Sequence, residues 1–303
     1  MIKTATTTTL LALALILGCD GGGTIVDPPY GDDEVGVTEK EFSNGDGALR
    51  GHEDILRIGI EHGNALIAAE SGIAGMFTPV PFGDACPSTS HVLLKGDCVT
   101  DNPDATMSAF YGVSDADWDY APLLQDLHFM RNYVGSYGAE SARLACWGAR
   151  ERITVATEKA MGYWQAGDRV AADYWLGHAL HIVQDSFAKS HARRTGTNLR
   201  TLTDVCTYGR IVWGACYHLT YDPTDLIWRR DSWSCAFDPN VRTYECMTDQ
   251  ARGAVRASAG FLRTIGRYVV SGFTANLDLL LDQYFEAGAT DNWNDYFHCS
   301  QLR

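Results

Sequence analysis

Basic residues are scarce in this sequence of 303 residues. Lysine and arginine together number 24, against 38 aspartate and glutamate residues, which gives a formal net charge of −14. So acidic a chain does not favour a general basic surface of the kind that binds extended nucleic acid. It could still act on phosphate groups if bound metal ions supplied the positive charge.

Several familiar sequence signatures are also missing. No apolar run is long enough for a bilayer-spanning helix, so no transmembrane helix is predicted. We find no glycine-rich phosphate loop, no cysteine spacing of a zinc ribbon and no Gly-x-Ser-x-Gly nucleophile elbow. Neither a sustained alternation of apolar and polar residues nor a fixed-length repeat occurs, which argues against sheet-rich and repeat architectures.

The N-terminus has the pattern of an export signal. Lys3 precedes an unbroken apolar run over residues 10–17, which is too short to span a bilayer. The run ends in a glycine followed by Cys19, and this resembles a bacterial lipobox, in which the cysteine becomes the lipidated first residue. We therefore predict a signal peptide over residues 1–18 and an exported, membrane-anchored lipoprotein, periplasmic or at the cell surface. A plain secretory signal that is cleaved nearby is the alternative.

The cysteines also favour export, because nine of them are unusual for a reduced compartment. If Cys19 is lipidated, eight remain, and eight cysteines allow 105 pairings. Two pairs are close enough in sequence to close local loops: Cys86 with Cys98, and Cys206 with Cys216.

Composition and periodicity divide the chain. Residues 19–46 are rich in glycine, proline and acidic residues, so we predict a flexible tether. Residues 47–303 are then one folded domain. Within it, helical patterns are predicted over residues 49–74, over 139–166, after the capping residue Asp168, and over 248–288 with a possible division at Gly272. Residues 75–116 and 195–246 show no period and are predicted to be long loops braced by disulfides, so the predicted fold class is all-α.

The chemistry is concentrated between residues 176 and 191. His181 and Asp185 are four residues apart, so they face the same side of a helix, and His191 follows six residues later. Imidazole nitrogen and carboxylate oxygen are the ligands that Zn²⁺ takes outside thiolate sites, and an aspartate can bridge two metals. The plain alternative is a hydrogen-bonded pair along the helix. His178 is interpreted as a supporting or core residue rather than a ligand.

This His-x3-Asp-x5-His pattern, with the surrounding Ala-Leu-His-x2-Gln-Asp-Ser-x-Ala run, resembles the core motif of the bacterial zinc-dependent phospholipase C family. Single-strand-specific zinc nucleases share that motif and fold. A family histidine that opens a helix in a His-x2-Ile context is matched by His52. A His-Phe pair preceded by an aspartate is matched by His128, with Asp117 eleven residues earlier and Asp115 and Asp119 as rivals.

The last family motif, His-x3-Glu, is matched by His218 with Asp222 in place of glutamate. The resemblance thus implies an all-α, multi-helix, zinc-dependent phospholipase C-like domain. It also implies these metal ligands: His52, Asp117, His128, His181, Asp185, His191, His218 and Asp222.

Two zinc ions follow from the resemblance. One would bind Asp117, His128, His181 and Asp185, and the second would bind His191, His218 and Asp222. A third would lie between His52 and Asp185, but its family ligand is the mature N-terminal amine, which would here be acylated or tethered 33 residues away from His52. The candidate catalytic residues are Asp117 and Asp54, the latter as a proton acceptor near the metals.

The expected function is that of a zinc-dependent phosphodiester hydrolase of phospholipase C type, which cleaves phospholipid head groups with metal-activated water. The predicted lipid anchor would hold the site near a membrane. Two alternatives stay open. One is a nuclease or nucleotidase on the same metal core, and the other is a non-catalytic surface lipoprotein that a metal stabilises.

Overall fold

The computed structural model describes residues 51–113, 124–134, 138–199, 201–208, 217–218, 227–228, 243–271, 281, 285–287 and 297–298. The predicted signal peptide and tether, with Cys19, lie outside these residues, as do Asp117, Cys216 and Asp222. Among the described helices, none has the length and apolar character needed to cross a membrane.

The described chain is mostly helical. Its helices are α1 (Gly51–Ser71), α2 (Val92–Asp101), α3 (Ala105–Tyr111), α4 (Ala142–Gln165), α5 (Arg169–Asp185) and α6 (Asp249–Ser271). Single 3-10 turns occur at Gln125–His128, Thr197–Leu199 and Tyr244–Cys246. As predicted, α5 begins after Asp168, whose carboxylate accepts a hydrogen bond from the Ala171 backbone N–H.

Short strands complete the fold. They are β1 (Tyr133–Val134), β2 (Gly138–Ala139), β3 (Ala192–Thr195), β4 (Thr201–Val205), β5 (Thr207–Tyr208), β6 (Tyr217–His218), β7 (Glu286–Ala287) and β8 (Phe297–His298). The sheet with strand order β3-β4-β7-β8 is antiparallel except for the parallel β4–β7 pair. β1 pairs with β2 antiparallel, and β5 pairs with β6 parallel.

Three sequence predictions are wrong in detail. The supposed loop over residues 75–116 contains the helices α2 and α3, which are too short to show a helical period. Helix α2 is capped at its N-terminus by the side chain of His91. The supposed loop over residues 195–246 contains β4, β5 and β6, which are too short to show alternation. The helix predicted over residues 248–288 does not reach its predicted end, because residues 286–287 form a strand.

Helix α5 is central to the fold. It packs against α2 and α4 and also contacts α6, which in turn packs along α1. Every residue from Tyr174 to Asp185 is buried. The polar groups on this part of α5 therefore need partners inside the protein.

Two glycines let α2 and α5 approach at backbone distance. A Cβ atom added at Gly177 would lie 2.0 Å from the Leu93 carbonyl oxygen, and one at Gly96 would lie 1.9 Å from the Tyr174 carbonyl oxygen. Any larger residue would push the helices apart. This close crossing brings the side chains that follow Gly96 on α2 next to the polar face of α5.

A disulfide fixes α2 from its other side. Cys86 and Cys98 are bonded, with Cα atoms 5.5 Å apart, which confirms the first of the two predicted local pairs. Cys146, Cys206 and Cys246 are disulfide-bonded as well. The second predicted pair involves Cys216 and so lies outside the described residues.

Candidate metal centre

Asp185 lies at the end of α5 with its side chain buried, and its two carboxylate oxygens face different histidines. Oδ1 is 3.1 Å from His52 Nε2. Oδ2 is 3.1 Å from His181 Nε2 and 3.5 Å from the Nδ1 atoms of both His128 and His191. One carboxylate therefore lies at the centre of four imidazoles.

These histidines come from separate parts of the chain. His52 is in the first turn of α1, and His181 lies one turn before Asp185 on α5. His128 is the last residue of the 3-10 turn Gln125–His128. The following residue, Phe129, has a left-handed backbone conformation, with φ at 51°. His191 precedes β3, and its Nδ1–H donates a 2.7 Å hydrogen bond to the His128 carbonyl. The α1, α5 and loop segments thus converge on one point.

Helix α2 adds a second carboxylate to this point. An oxygen of Asp101 lies 3.2 Å from His181 Nε2 and 3.5 Å from His128 Nδ1. Asp101, His128 and His181 each offer a ligand atom, and these three atoms lie within 4.8 Å of one another. With the adjacent Asp185 Oδ2, this group has the two imidazoles and two carboxylates of a four-coordinate metal site.

A second ligand group lies on the other side of His181. His52, Asp97 and His181 also offer atoms within 4.8 Å of one another, and all three side chains are buried. The His52 and His181 rings are stacked, with centroids 4.0 Å apart. His52 Nδ1–H donates a 2.9 Å hydrogen bond to Gln184 Oε1, which leaves Nε2 facing Asp185.

Several polar atoms of the cluster are buried and make no hydrogen bond within the part of the chain that the structure describes. They are both ring nitrogens of His181 and both carboxylate oxygens of Asp97 and of Asp185. Leaving one buried donor or acceptor unpaired costs roughly 1–3 kcal/mol, and more if it is charged. Native proteins rarely tolerate several such atoms side by side. Coordination to a cation would satisfy them, so the residues present fit a metal ion.

The electrostatics of the cluster agree with this reading. Burial alone would raise the pKa of the Asp185 carboxyl, but His191, His181 and His52 hold it well below its usual range. Burial likewise opposes a charge on His181, yet Asp101 and Asp185 raise the pKa of its imidazole well above the ordinary value. The pKa of Asp101, which burial alone would raise, is lowered to about 2 by His181, His128 and His52. A metal ion would displace protons from these imidazoles, so metal binding should weaken in acid.

The structure brings together five of the eight ligands expected from the sequence: His52, His128, His181, Asp185 and His191. Asp117 and Asp222 lie outside the described residues, and of His218 the structure describes only the backbone, in β6. Sequence reasoning missed Asp97 and Asp101. Asp101 is the carboxylate found beside His128 and His181, where Asp117 was expected.

The structure also shows the hydrogen-bond partners of Asp54 and His178. Asp54, the proposed proton acceptor, is buried, and its Oδ1 accepts from Arg57 at 3.3 and 3.4 Å. His178 is no ligand, because its ring nitrogens are hydrogen-bonded to Thr100 Oγ1 at 2.7 Å and to the Tyr111 hydroxyl at 2.8 Å. Burial lowers the pKa of His178 to about 3, so this imidazole is neutral. It supports the cluster by tying α5 to α2 and α3.

No protein-family model, no curated protein and no solved structure matches this chain.

Proposed function

We propose that the chain is a zinc-dependent phosphodiester hydrolase of phospholipase C type. The observation that carries the proposal is the division of Asp185 between two ligand groups, with Oδ1 beside His52 and Oδ2 beside His181. A carboxylate with imidazoles at both oxygens is suited to bridge two metal ions. Ions a few ångströms apart activate water and stabilise the entering and leaving oxygens of a phosphate ester.

The residues of the cluster can be assigned to two metal ions. Asp101, His128, His181 and Asp185 Oδ2 would hold one ion, and His52 and Asp185 Oδ1 would contribute to a neighbouring one. Gln184 fixes the ring of His52 through its 2.9 Å hydrogen bond. The His128 carbonyl fixes the ring of His191 in the same way, through the hydrogen bond that it accepts from Nδ1–H.

Charge and location favour phospholipid over long nucleic acid as the substrate. The net charge of −14 would repel a polyanion, whereas a single phosphodiester group needs only the local charge of the metal ions. The lipid anchor predicted at Cys19 would hold the domain at a membrane, where phospholipid is abundant.

The proposal is tested by hydrolysis of a chromogenic phosphocholine ester by the exported full-length protein, with zinc and with chelator. Asp185→Ala and His181→Ala should abolish turnover, because each removes a proposed ligand. The matched control is Asp173→Asn, on the same helix but about 18 Å away along its axis, where the carboxylate is bonded to Arg169 at 2.8 Å. This control should keep its activity.

The substrate comparison separates the alternatives. Zinc-dependent release of head groups from phosphatidylcholine vesicles supports the phospholipase, and zinc-dependent cleavage confined to single-stranded DNA or nucleotides replaces it with a nuclease or nucleotidase. A chelator-sensitive melting temperature without hydrolysis of any of these substrates would leave a metal-stabilised surface protein.

A further inference from the structure

One buried carboxylate next to the metal centre is left over by this assignment of ligands. Asp97, on α2, is fully buried, and neither of its oxygens has a hydrogen-bond partner among the described residues. Its Oδ1 lies 3.6 Å from Nδ1 of His181. The other ring nitrogen of His181 faces the opposite way, at 3.1 Å from Asp185 and 3.2 Å from Asp101.

The chemistry of imidazole makes this placement significant. A neutral imidazole carries its proton on one nitrogen and a lone pair on the other, and only the lone pair can bind a metal. If Nε2 of His181 binds the ion, the proton must be on Nδ1 and needs an acceptor in the protein. His52 and His191 already have such acceptors in Gln184 and in the His128 carbonyl. For His181, the corresponding group is Asp97.

We propose that Asp97 is a positioning residue. Its carboxylate accepts a hydrogen bond from Nδ1–H of His181 and so directs Nε2 of that imidazole toward Asp101 and Asp185. The inference rests on the proposed metal site. A carboxylate in this position fixes the tautomer and the ring orientation and makes the imidazole a stronger ligand.

The present separation of 3.6 Å is longer than a hydrogen bond. Among the described residues His181 Nδ1 is buried and makes no hydrogen bond, and a shift of about half an ångström would bring the Asp97 carboxylate within hydrogen-bond distance of it.

The position of Asp97 is fixed by the backbone. Its neighbour Gly96 contacts α5 at a distance that no other residue allows, and Cys98 on its other side is bonded to Cys86. The carboxylate is thus held against α5 by two independent constraints. This is the rigid support that a positioning group needs.

The test uses Asp97→Asn, which is nearly isosteric, together with the wild-type protein. Zinc stoichiometry and affinity are measured by competition with a chromophoric chelator, and the His181 tautomer by long-range ¹H–¹⁵N NMR of the zinc-loaded protein. The expected result is an unchanged number of zinc ions per chain with an affinity lowered about 10–100-fold, and wild-type His181 protonated at Nδ1. Asp173→Asn is the control and should match the wild type in both measurements.

Three results would overturn the inference. An unchanged affinity in Asp97→Asn would show that the carboxylate does not act on His181, and the loss of one zinc ion per chain would make Asp97 a ligand instead. If the variant does not fold, the wild-type spectrum alone decides, and a His181 protonated at Nε2 contradicts the proposal. Failure of the proposed function is a different outcome, in which the wild-type protein itself binds no zinc or hydrolyses no phosphodiester.

Discussion

His52 and Asp185 meet through a 3.1 Å contact between Nε2 and Oδ1, although one lies in the first turn of α1 and the other at the end of α5. The second oxygen of Asp185 is equally close to His181. If these imidazoles only donated hydrogen bonds to Asp185, both carboxylate oxygens would be satisfied, yet neither forms a hydrogen bond with the described residues. Imidazoles at both oxygens instead favour a bridging carboxylate, and the proposed function depends on this relationship.

Asp185→Asn should therefore remove at least one metal ion. The amide cannot bridge two cations, because only one of its two terminal atoms is an oxygen acceptor. We expect zinc content to fall from two or three ions per chain to at most one, measured by elemental mass spectrometry after gel filtration. Asp173→Asn on the same helix should keep the wild-type content. Full zinc content in Asp185→Asn would contradict the bridging role.

Gly177→Ala should destabilise the domain and weaken the site. The added methyl group would lie 2.0 Å from the Leu93 carbonyl oxygen, and backbone cannot yield as a side chain can. We expect the free energy of unfolding in urea to fall by at least about 2 kcal/mol. Zinc affinity should fall too, because α2 carries Asp97 and Asp101.

The matched control is Gly162→Ala on α4, where an added methyl group meets no atom of the described residues within 4 Å. Alanine is the better helix former by up to about 1 kcal/mol, so this variant should be as stable as the wild type or slightly more so. Equal stability of the two alanine variants would mean that the α2–α5 crossing is looser than described.

His178 should make the metal-free protein sensitive to mild acid. Its folded-state pKa is lowered to about 3 by burial, whereas in the unfolded chain it titrates near 6.5. Below pH 6.5 the unfolded chain therefore binds one more proton than the folded protein at this position. Stability is lost as the pH falls from 6.5 toward 3, by up to about 1.4 kcal/mol per pH unit.

The measurement is urea unfolding of the metal-free wild type and of His178→Gln at several pH values between about 7 and 5. The variant should be less stable at neutral pH, since it loses hydrogen bonds to Thr100 and Tyr111. Its disadvantage should shrink as the pH falls, because glutamine does not titrate. A constant difference between the two proteins across this range would refute the prediction.

The sequence allowed prediction of the part of the site that a single helix and short motifs encode. The spacing of His181 and Asp185 on one helical face predicts their contact. The order of the short motifs along the chain predicts His52, His128 and His191 as further ligands. Asp97 and Asp101 could not be found in this way. They lie on α2, a helix of ten residues without a visible period, and they reach His181 only because Gly96 and Gly177 allow a close crossing.

The same limit applies to the fold. Long helices such as α1, α4 and α5 have enough turns to show a period or a capping residue. The predicted bounds of α1 and α4 lie close to the observed ones, and α5 begins where it was predicted to begin. Strands of two to five residues such as β4 and β7 are too short to alternate visibly. Their pairing depends on contacts between distant parts of the chain, which local sequence patterns do not record.

The most direct test of the central claim is the number of zinc ions per chain, measured by elemental mass spectrometry on the folded, oxidised protein after zinc has been offered and the excess removed. The division of Asp185 between two ligand groups predicts two or three ions per chain. A folded protein that retains no zinc would contradict the metal centre and the hydrolase built on it.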